Sequence, residues 1–281
     1  MTEFSVERAG VTLSGEEAGE GVPVVLLHGL TATRRYVVMG SRSLERSGHR
    51  VVAYDARGHG RSSPAPDPAD YGYETLAADL LAVLDERGIE RAVLAGASMG
   101  AHTIARLALD HGDRAAALVL ITPGYTPEGE HSDLARWDAL SDGLRNGGVE
   151  GFVAAYGDPD VPEGWRETVV KVLHQRLSAH EHPDAVADAL RAVPRSRPFE
   201  DWAELGELDL PCVVVASRDE ADPGHPYAVG ARWAEAIPGA ELRSEEPGAS
   251  PLAWQGGQLS ELIAGTVRRS GGAGAASAPR P

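Results

Sequence analysis

The sequence predicts an α/β protein: a mostly parallel sheet with helices on both faces. Three observations predict it. Short, wholly apolar runs alternate several times with stretches of helical periodicity, and a strand apolar on both sides is one covered on both faces. The residues best suited to chemistry fall immediately after those runs, at the edge where open parallel sheets gather their reactive loops. The strand signal then disappears from 124 to 199 and returns, which marks a helical insertion over that edge.

The elements follow in order along the 281 residues. Phe4 to Glu17 alternates weakly about Ala9-Gly10 and reads as an opening hairpin. Pro23-Val24-Val25-Leu26-Leu27 is a buried strand, followed by a helix carrying Val38 and Leu44 and ending near Gly48. Arg50 to Tyr54 is the next strand, and a Pro-rich loop leads to a helix over 73–87 with Leu76, Leu80, Leu81 and Leu84 on one stripe. Ala92 to Ala95 and Ala117 to Ile121 are strands flanking a helix that ends at Asp110. Candidate cap helices span 133–144, 149–156, 163–179 and 183–193, and their Trp137, Phe152 and Tyr156 are expected to shape a substrate pocket. Pro211 to Ala216 returns to strand, a helix covers 227–237, 240–243 is a weak last strand and 255–268 a last helix. The resulting division is 1–123 and 200–269 for the core, 124–199 for the cap, and a Gly/Ala/Ser/Pro tail at 270–281 expected to be disordered.

Composition narrows the function classes. A net charge of −16 opposes binding to nucleic acid or an anionic membrane. The one cysteine, Cys212, cannot form an internal disulfide and sits in an apolar strand as a core residue. Met1 to Arg8 has no basic segment followed by an apolar one, and no run is long enough to span a bilayer, so a cytoplasmic protein is expected. No zinc-type ligand cluster or phosphate loop is present, so no metal and no cofactor is expected, and the partner is a small-molecule substrate.

The stretch that organises the chain is Gly96-Ala97-Ser98-Met99-Gly100, set between a strand and a helix. A turn that tight leaves no room for Cβ atoms at 96 and 100 and holds Ser98 at its tip, the arrangement of a nucleophile elbow. The Met99 N–H, opening the helix, points to where an oxyanion would form.

Together with His28-Gly29 and Asp55-x-Arg57-Gly58-His59-Gly60-x-Ser62, in matching order and spacing, this motif resembles the α/β-hydrolase superfamily up to about residue 268. The resemblance implies an eight-stranded, mostly parallel sheet, a helical cap after the sixth strand, and a triad in the order Ser, acid, His. It makes Ser98 the nucleophile and the Leu30 and Met99 N–H groups the oxyanion hole. His28 and the loop from Asp55 to Ser62 are implied as scaffold. The acid is expected after the strand ending at Ala216, where Asp222, before Pro223-Gly224-His225, is chosen over Asp219. Glu220 is the third carboxylate there.

One place breaks the pattern. The family's histidine follows the last strand, and here Ala249 occupies that place, with no histidine after His225. A serine hydroxyl is a poor nucleophile without a base. His225 is the best substitute, since its loop adjoins the vacant position. His102 is expected to face neighbouring loops, and His174, His180 and His182 to lie on the cap surface. Two readings stand: a serine hydrolase of small carboxylic esters, lactones or similar acyl compounds with a displaced base, or a non-hydrolytic relative that binds a small ligand or uses only the oxyanion hole.

Overall fold

A computed structural model describes residues 1–128, 134–159, 161–218, 222–246, 254 and 256–275, with residues 271–275 by backbone alone. Eight strands form one sheet: β1 (Thr2–Arg8), β2 (Val11–Ala18), β3 (Val22–Leu27), β4 (His49–Tyr54), β5 (Ala92–Ala97), β6 (Ala115–Ile121), β7 (Cys212–Val215) and β8 (Glu241–Arg243). Their spatial order is β1-β2-β4-β3-β5-β6-β7-β8. β1 pairs with β2, and β2 with β4, antiparallel; every later pairing is parallel. The helices are α1 (Ser43–Arg46), α2 (Tyr73–Glu86), α3 (Met99–Asp110), α4 (Leu134–Tyr156), α5 (Glu163–Leu177), α6 (Pro183–Ala192), α7 (Trp202–Leu205), α8 (Tyr227–Ala236) and α9 (Gly256–Ala275).

The two faces of the sheet are read directly from the period of two in its strands. Val25, Leu27, Val52, Leu94 and Leu118 point to one side and pack against Leu80 and Leu84 of α2, Ile104 and Leu107 of α3, and Trp233 of α8. Val24, Leu26, Val51, Ala53 and Val93 point to the other, against Leu259, Ile263 and Val267 of α9. Cys212 is buried in the first of these cores, and burial pushes its thiol up to about 12.

Two expectations change on contact with the structure. The helix expected to end near Gly48 is instead a 3-10 turn at Arg34–Tyr36 and the four-residue α1, because Met39 and Gly40 both take positive φ (47° and 72°) and break it. The two helices expected over 133–144 and 149–156 are present as the two arms of α4, separated by a non-helical kink at Gly148 (φ 60°). The arms touch so closely that a Cβ on Gly143 would stand 2.4 Å from the Gly151 carbonyl oxygen. Finally, α9 continues past 269 to Ala275; residues 276–281 of the expected tail lie outside the described residues.

The cap has a core of its own. Leu140, Leu144 and Phe152 of α4, Leu173 and Leu177 of α5, and Val186 and Leu190 of α6 form a separate buried cluster. It is seated on the elbow through Ala185, Ala189 and Val193, which pack with Tyr71, Tyr73, Leu76 and Met99. Its two roots are clasped where Tyr125 donates its hydroxyl to the Phe199 carbonyl at 3.0 Å.

Candidate active site

The elbow is set by the register of β3 and β5, in which Leu27 pairs with Gly96. Helix α3 starts so close to both strands that a Cβ on Gly96 would lie 2.5 Å from Gly100, and one on Gly100 would lie 2.3 Å from the Leu27 carbonyl oxygen. Ser98 takes φ 50° and ψ −113°, a backbone state costly for any residue with a Cβ. Two hydrogen bonds hold it there: its N–H donates to Ile121 O at 2.9 Å, and its carbonyl accepts from the His102 N–H at 3.0 Å.

His225 Nε2 stands 2.8 Å from Ser98 Oγ. On the other side of the ring, Nδ1 lies 2.8 Å and 2.9 Å from the two Asp222 carboxylate oxygens. An ionised carboxylate only accepts, so Nδ1 carries the proton and Nε2 is left to accept from the serine hydroxyl. Asp222 and His225 sit three residues apart in one turn, closed by the His225 N–H donating to Asp222 O at 3.2 Å. Pro223 fixes the first corner of that turn. Burial raises the Asp222 carboxyl, and the hydrogen bond to His225, the His225 charge and the Arg176 charge more than offset it, so the group lies below its ordinary value. Asp219 and Glu220, the other acid candidates, and Ala249 lie outside the described residues.

His225 rests on Gly124, where a Cβ would come within 3.2 Å of its Cδ2. That glycine is held by His102, whose Nε2 accepts from the N–H groups of Gly124 (3.0 Å) and Tyr125 (3.2 Å). The His102 proton is therefore on Nδ1, directed at Tyr73 Oη 2.8 Å away. Both nitrogens being engaged, His102 is no base for Ser98; burial, then the neighbouring His225 charge, pushes it down to about 3. The seat is completed by Trp233, stacked on His102 and donating its Nε1–H to Tyr125 O at 2.8 Å. The sequence placed His102 against neighbouring loops correctly; it carried no signal for the role of Gly124.

Three further histidines are engaged with the backbone at both ring nitrogens. His28 Nε2 accepts from the Ala56 N–H at 2.9 Å, so its Nδ1–H donates to Gly29 O at 2.8 Å. Burial, chiefly, pushes it down to about 3. His59 bridges Arg57 O (2.8 Å) and Leu30 O (2.7 Å), pinning the loop that follows β3. His180 departs from its expected place on the cap surface. Its Nδ1 accepts from the Gly60 N–H at 2.9 Å and its Nε2 faces Thr31 O at 3.2 Å, which ties the cap to the two core loops. The spacing Leu173, Leu177, His180 is that of one helix face, a signal available in the sequence. Of the three cap aromatics, Phe152 is buried in the cap's own core and not in a pocket, while Tyr156 lies in the electrostatic surroundings of Asp222 and Arg176. Trp137 packs at the margin of the cap core.

A family model described as the alpha/beta hydrolase fold matches residues 22–182. The chain belongs to the α/β-hydrolase family. Among its curated relatives is a putative carbamate hydrolase RutD of Variovorax paradoxus, 32% identical over 203 residues, covering 72% of this chain and 75% of the relative. Among solved structures, an esterase from Thermogutta terrifontis superposes with a TM-score of 0.77 at 25% identity, covering 96% of this chain and 99% of that one. Another, described as Est816, an N-acyl homoserine lactone degrading enzyme, gives 0.74 at 26% identity, with 93% and 99% covered. On these relationships this α/β-hydrolase is an enzyme of the hydrolase class. Among the described residues no helix is long and apolar enough to cross a membrane.

Proposed function

We propose that this α/β-hydrolase is a serine hydrolase that opens small carboxylic esters, lactones or similar acyl compounds through an acyl-enzyme on Ser98. The observation that carries this reading is His225 Nε2 at 2.8 Å from Ser98 Oγ, with Nδ1 on Asp222. As Ser98 Oγ attacks the substrate carbonyl, its proton passes to His225 Nε2, and the ionised Asp222 stabilises the imidazolium. Asp222 keeps its own charge throughout. The oxygen that becomes negative is received by the Leu30 and Met99 N–H groups, the latter at the N-terminus of α3, where helical N–H groups have no partner within the helix. Each such donor contributes about 3–4 kcal/mol to the transition state. Collapse expels the alkoxide, which takes the proton from Nε2. Water then repeats the sequence against the acyl-enzyme, giving the acid and free Ser98. The acyl scope follows the ester, lactone and carbamate chemistry named for the relatives.

Ser98→Ala and His225→Ala are each expected to lower kcat on a short activated ester by about four to six orders of magnitude, because members of one catalytic unit fail together. Ala249→His is expected to change little, since a base is already present. A fluorophosphonate should label Ser98 in the unaltered protein and leave His225→Ala almost unlabelled by intact mass. A nearly silent His225→Ala, together with activation by Ala249→His, would overturn the assignment and favour the reading in which only the oxyanion hole works.

A further inference from the structure

Arg176 takes no part in the proton transfers above beyond its charge acting on Asp222, and its Nε has no partner. It stands on α5, with its Nε shut off from solvent and without a hydrogen-bond partner. Among the described residues its guanidinium makes no hydrogen bond and no ion pair. Its contact is with a ring: Cζ lies 5.6 Å from the centroid of Tyr36, in the core turn that follows the His28-Gly29-Leu30 loop. Tyr156 of α4 and the triad carboxylate Asp222 lie within its electrostatic reach. A second cap guanidinium, that of Arg136, lies over Tyr156 with Cζ at 5.4 Å.

A guanidinium nitrogen shut off from water without an acceptor is unfavourable, and a ligand carboxylate would supply the missing acceptor. This one sits where three walls converge: the cap through Tyr156, the turn after the oxyanion loop through Tyr36, and the acid-base turn through Asp222. In a chain with net charge −16, the Arg176 and Arg136 charges both act on Tyr156, and the Arg176 charge acts on Asp222 as well. Asp222 attracts it without bonding to it, both carboxylate oxygens being directed at His225 Nδ1.

We propose that Arg176 is the anion-binding residue of the substrate pocket, and that the natural substrates are acyl compounds carrying a free carboxylate. The carboxylate is received by the guanidinium fork, with the Tyr36 ring behind it and the scissile carbonyl directed to Ser98. This rests on the acyl-transfer reading of the site. It adds a substrate class to it, and the planar fork explains the choice of arginine over lysine.

The test pairs binding with turnover. Adipate, a dicarboxylate that cannot react, is titrated by calorimetry into the Ser98→Ala protein with and without R176Q and R176K. In parallel, kcat and KM are measured on 4-nitrophenyl hexanoate and on mono-4-nitrophenyl adipate, which differ by one terminal carboxylate. R176Q is expected to weaken adipate about 10- to 100-fold, the worth of a charge-assisted hydrogen bond, with R176K between. It is expected to lower the ratio of kcat/KM for the anionic over the neutral ester by a similar factor, chiefly through KM. Its melting temperature is expected to be equal or higher, since a guanidinium with a buried, unpartnered Nε has been removed. Equal losses on the two esters, a lowered melting temperature with no change in ester preference, or no measurable adipate binding to the Ser98→Ala protein would each overturn the proposal. If adipate binding is lost in R176Q but no ester is turned over, the anion site stands and the acyl-transfer reading fails.

Discussion

At the residue scale the site depends on a few atoms with no slack around them. Gly124 is the sharpest case. Replacing it with valine puts methyl groups where the His225 ring lies, since even a Cβ comes within 3.2 Å of Cδ2. Gly124→Val is expected to cut kcat about 100-fold or more, as a misplacement of about 1 Å does. Fluorophosphonate labelling should slow in parallel while the circular dichroism spectrum is unchanged; unaltered kinetics would show that the ring does not use this seat. Ser98 and the Asp222-Pro223-Gly224-His225 turn were legible in the sequence because each is a local pattern with a backbone reason. Gly124 was not, because its neighbour His225 is a hundred residues away and the contact exists only once β6 and β7 are side by side. Arg176 was half legible: with Leu173 and Leu177 buried on α5, its place on that face followed from the helical period, but nothing local showed that it would lack a partner.

At the element scale the cap divides into parts that build it and parts that face the substrate. Phe152 is 1% exposed inside the cap cluster. Phe152→Ala is expected to cost about 3–5 kcal/mol by the loss of buried surface and the cavity left, read in urea unfolding, with ester preference little changed. Tyr156, stacked on it at 6.3 Å between centroids, is expected to do the reverse: Tyr156→Ala should shift KM and preference more than stability. Equal behaviour of the two in both assays would mean that the cap acts only as packing. The strands, read mostly as wholly apolar runs, and the long helices, read from their 3.6-residue period, lie within about two residues of their expected bounds at most ends, α9 excepted, which runs on to Ala275. The segment between β3 and β4 was not, because Val38 and Leu44 fit a helical stripe while the positive φ at Met39 is a tertiary outcome that no propensity announces. The loop from Asp55 to Ser62 was rightly read as scaffold: Arg57, 1% exposed, is clamped by two 2.7 Å hydrogen bonds to Asp79 on α2. Asp79→Ala, which strands that charge, is expected to destabilise the fold by about 3–5 kcal/mol in the same measurement.

At the scale of the whole molecule, three histidines held neutral by the fold set a floor in pH. His28, His102 and His180 are each pushed down from 6.5 to about 3, chiefly by burial. The fold holds them neutral while the unfolded chain protonates them, so their contribution is complete above about 6.5 and is lost as pH falls toward about 3. Between pH 6.5 and 5.5 each is expected to withdraw about 1 kcal/mol, and urea midpoints across that interval check it; a flat profile would mean that the rings accept protons without unfolding. The global topology was legible because a parallel sheet leaves few ways to connect its strands. The location of the base was legible only as a candidate, because a histidine can be replaced from any loop that reaches the same edge. That freedom has a consequence for descent. With Asp222 and His225 as the proposed acid and base, three residues apart, the pair is inherited, lost or transplanted as one short segment, and rewriting a single turn after β7 is enough to move the proposed base. A relative whose last loop lacks histidine has therefore not been shown to be a dead enzyme. The Asp-Pro-Gly-His turn is the place to look before a sequence is struck from the working members of its family.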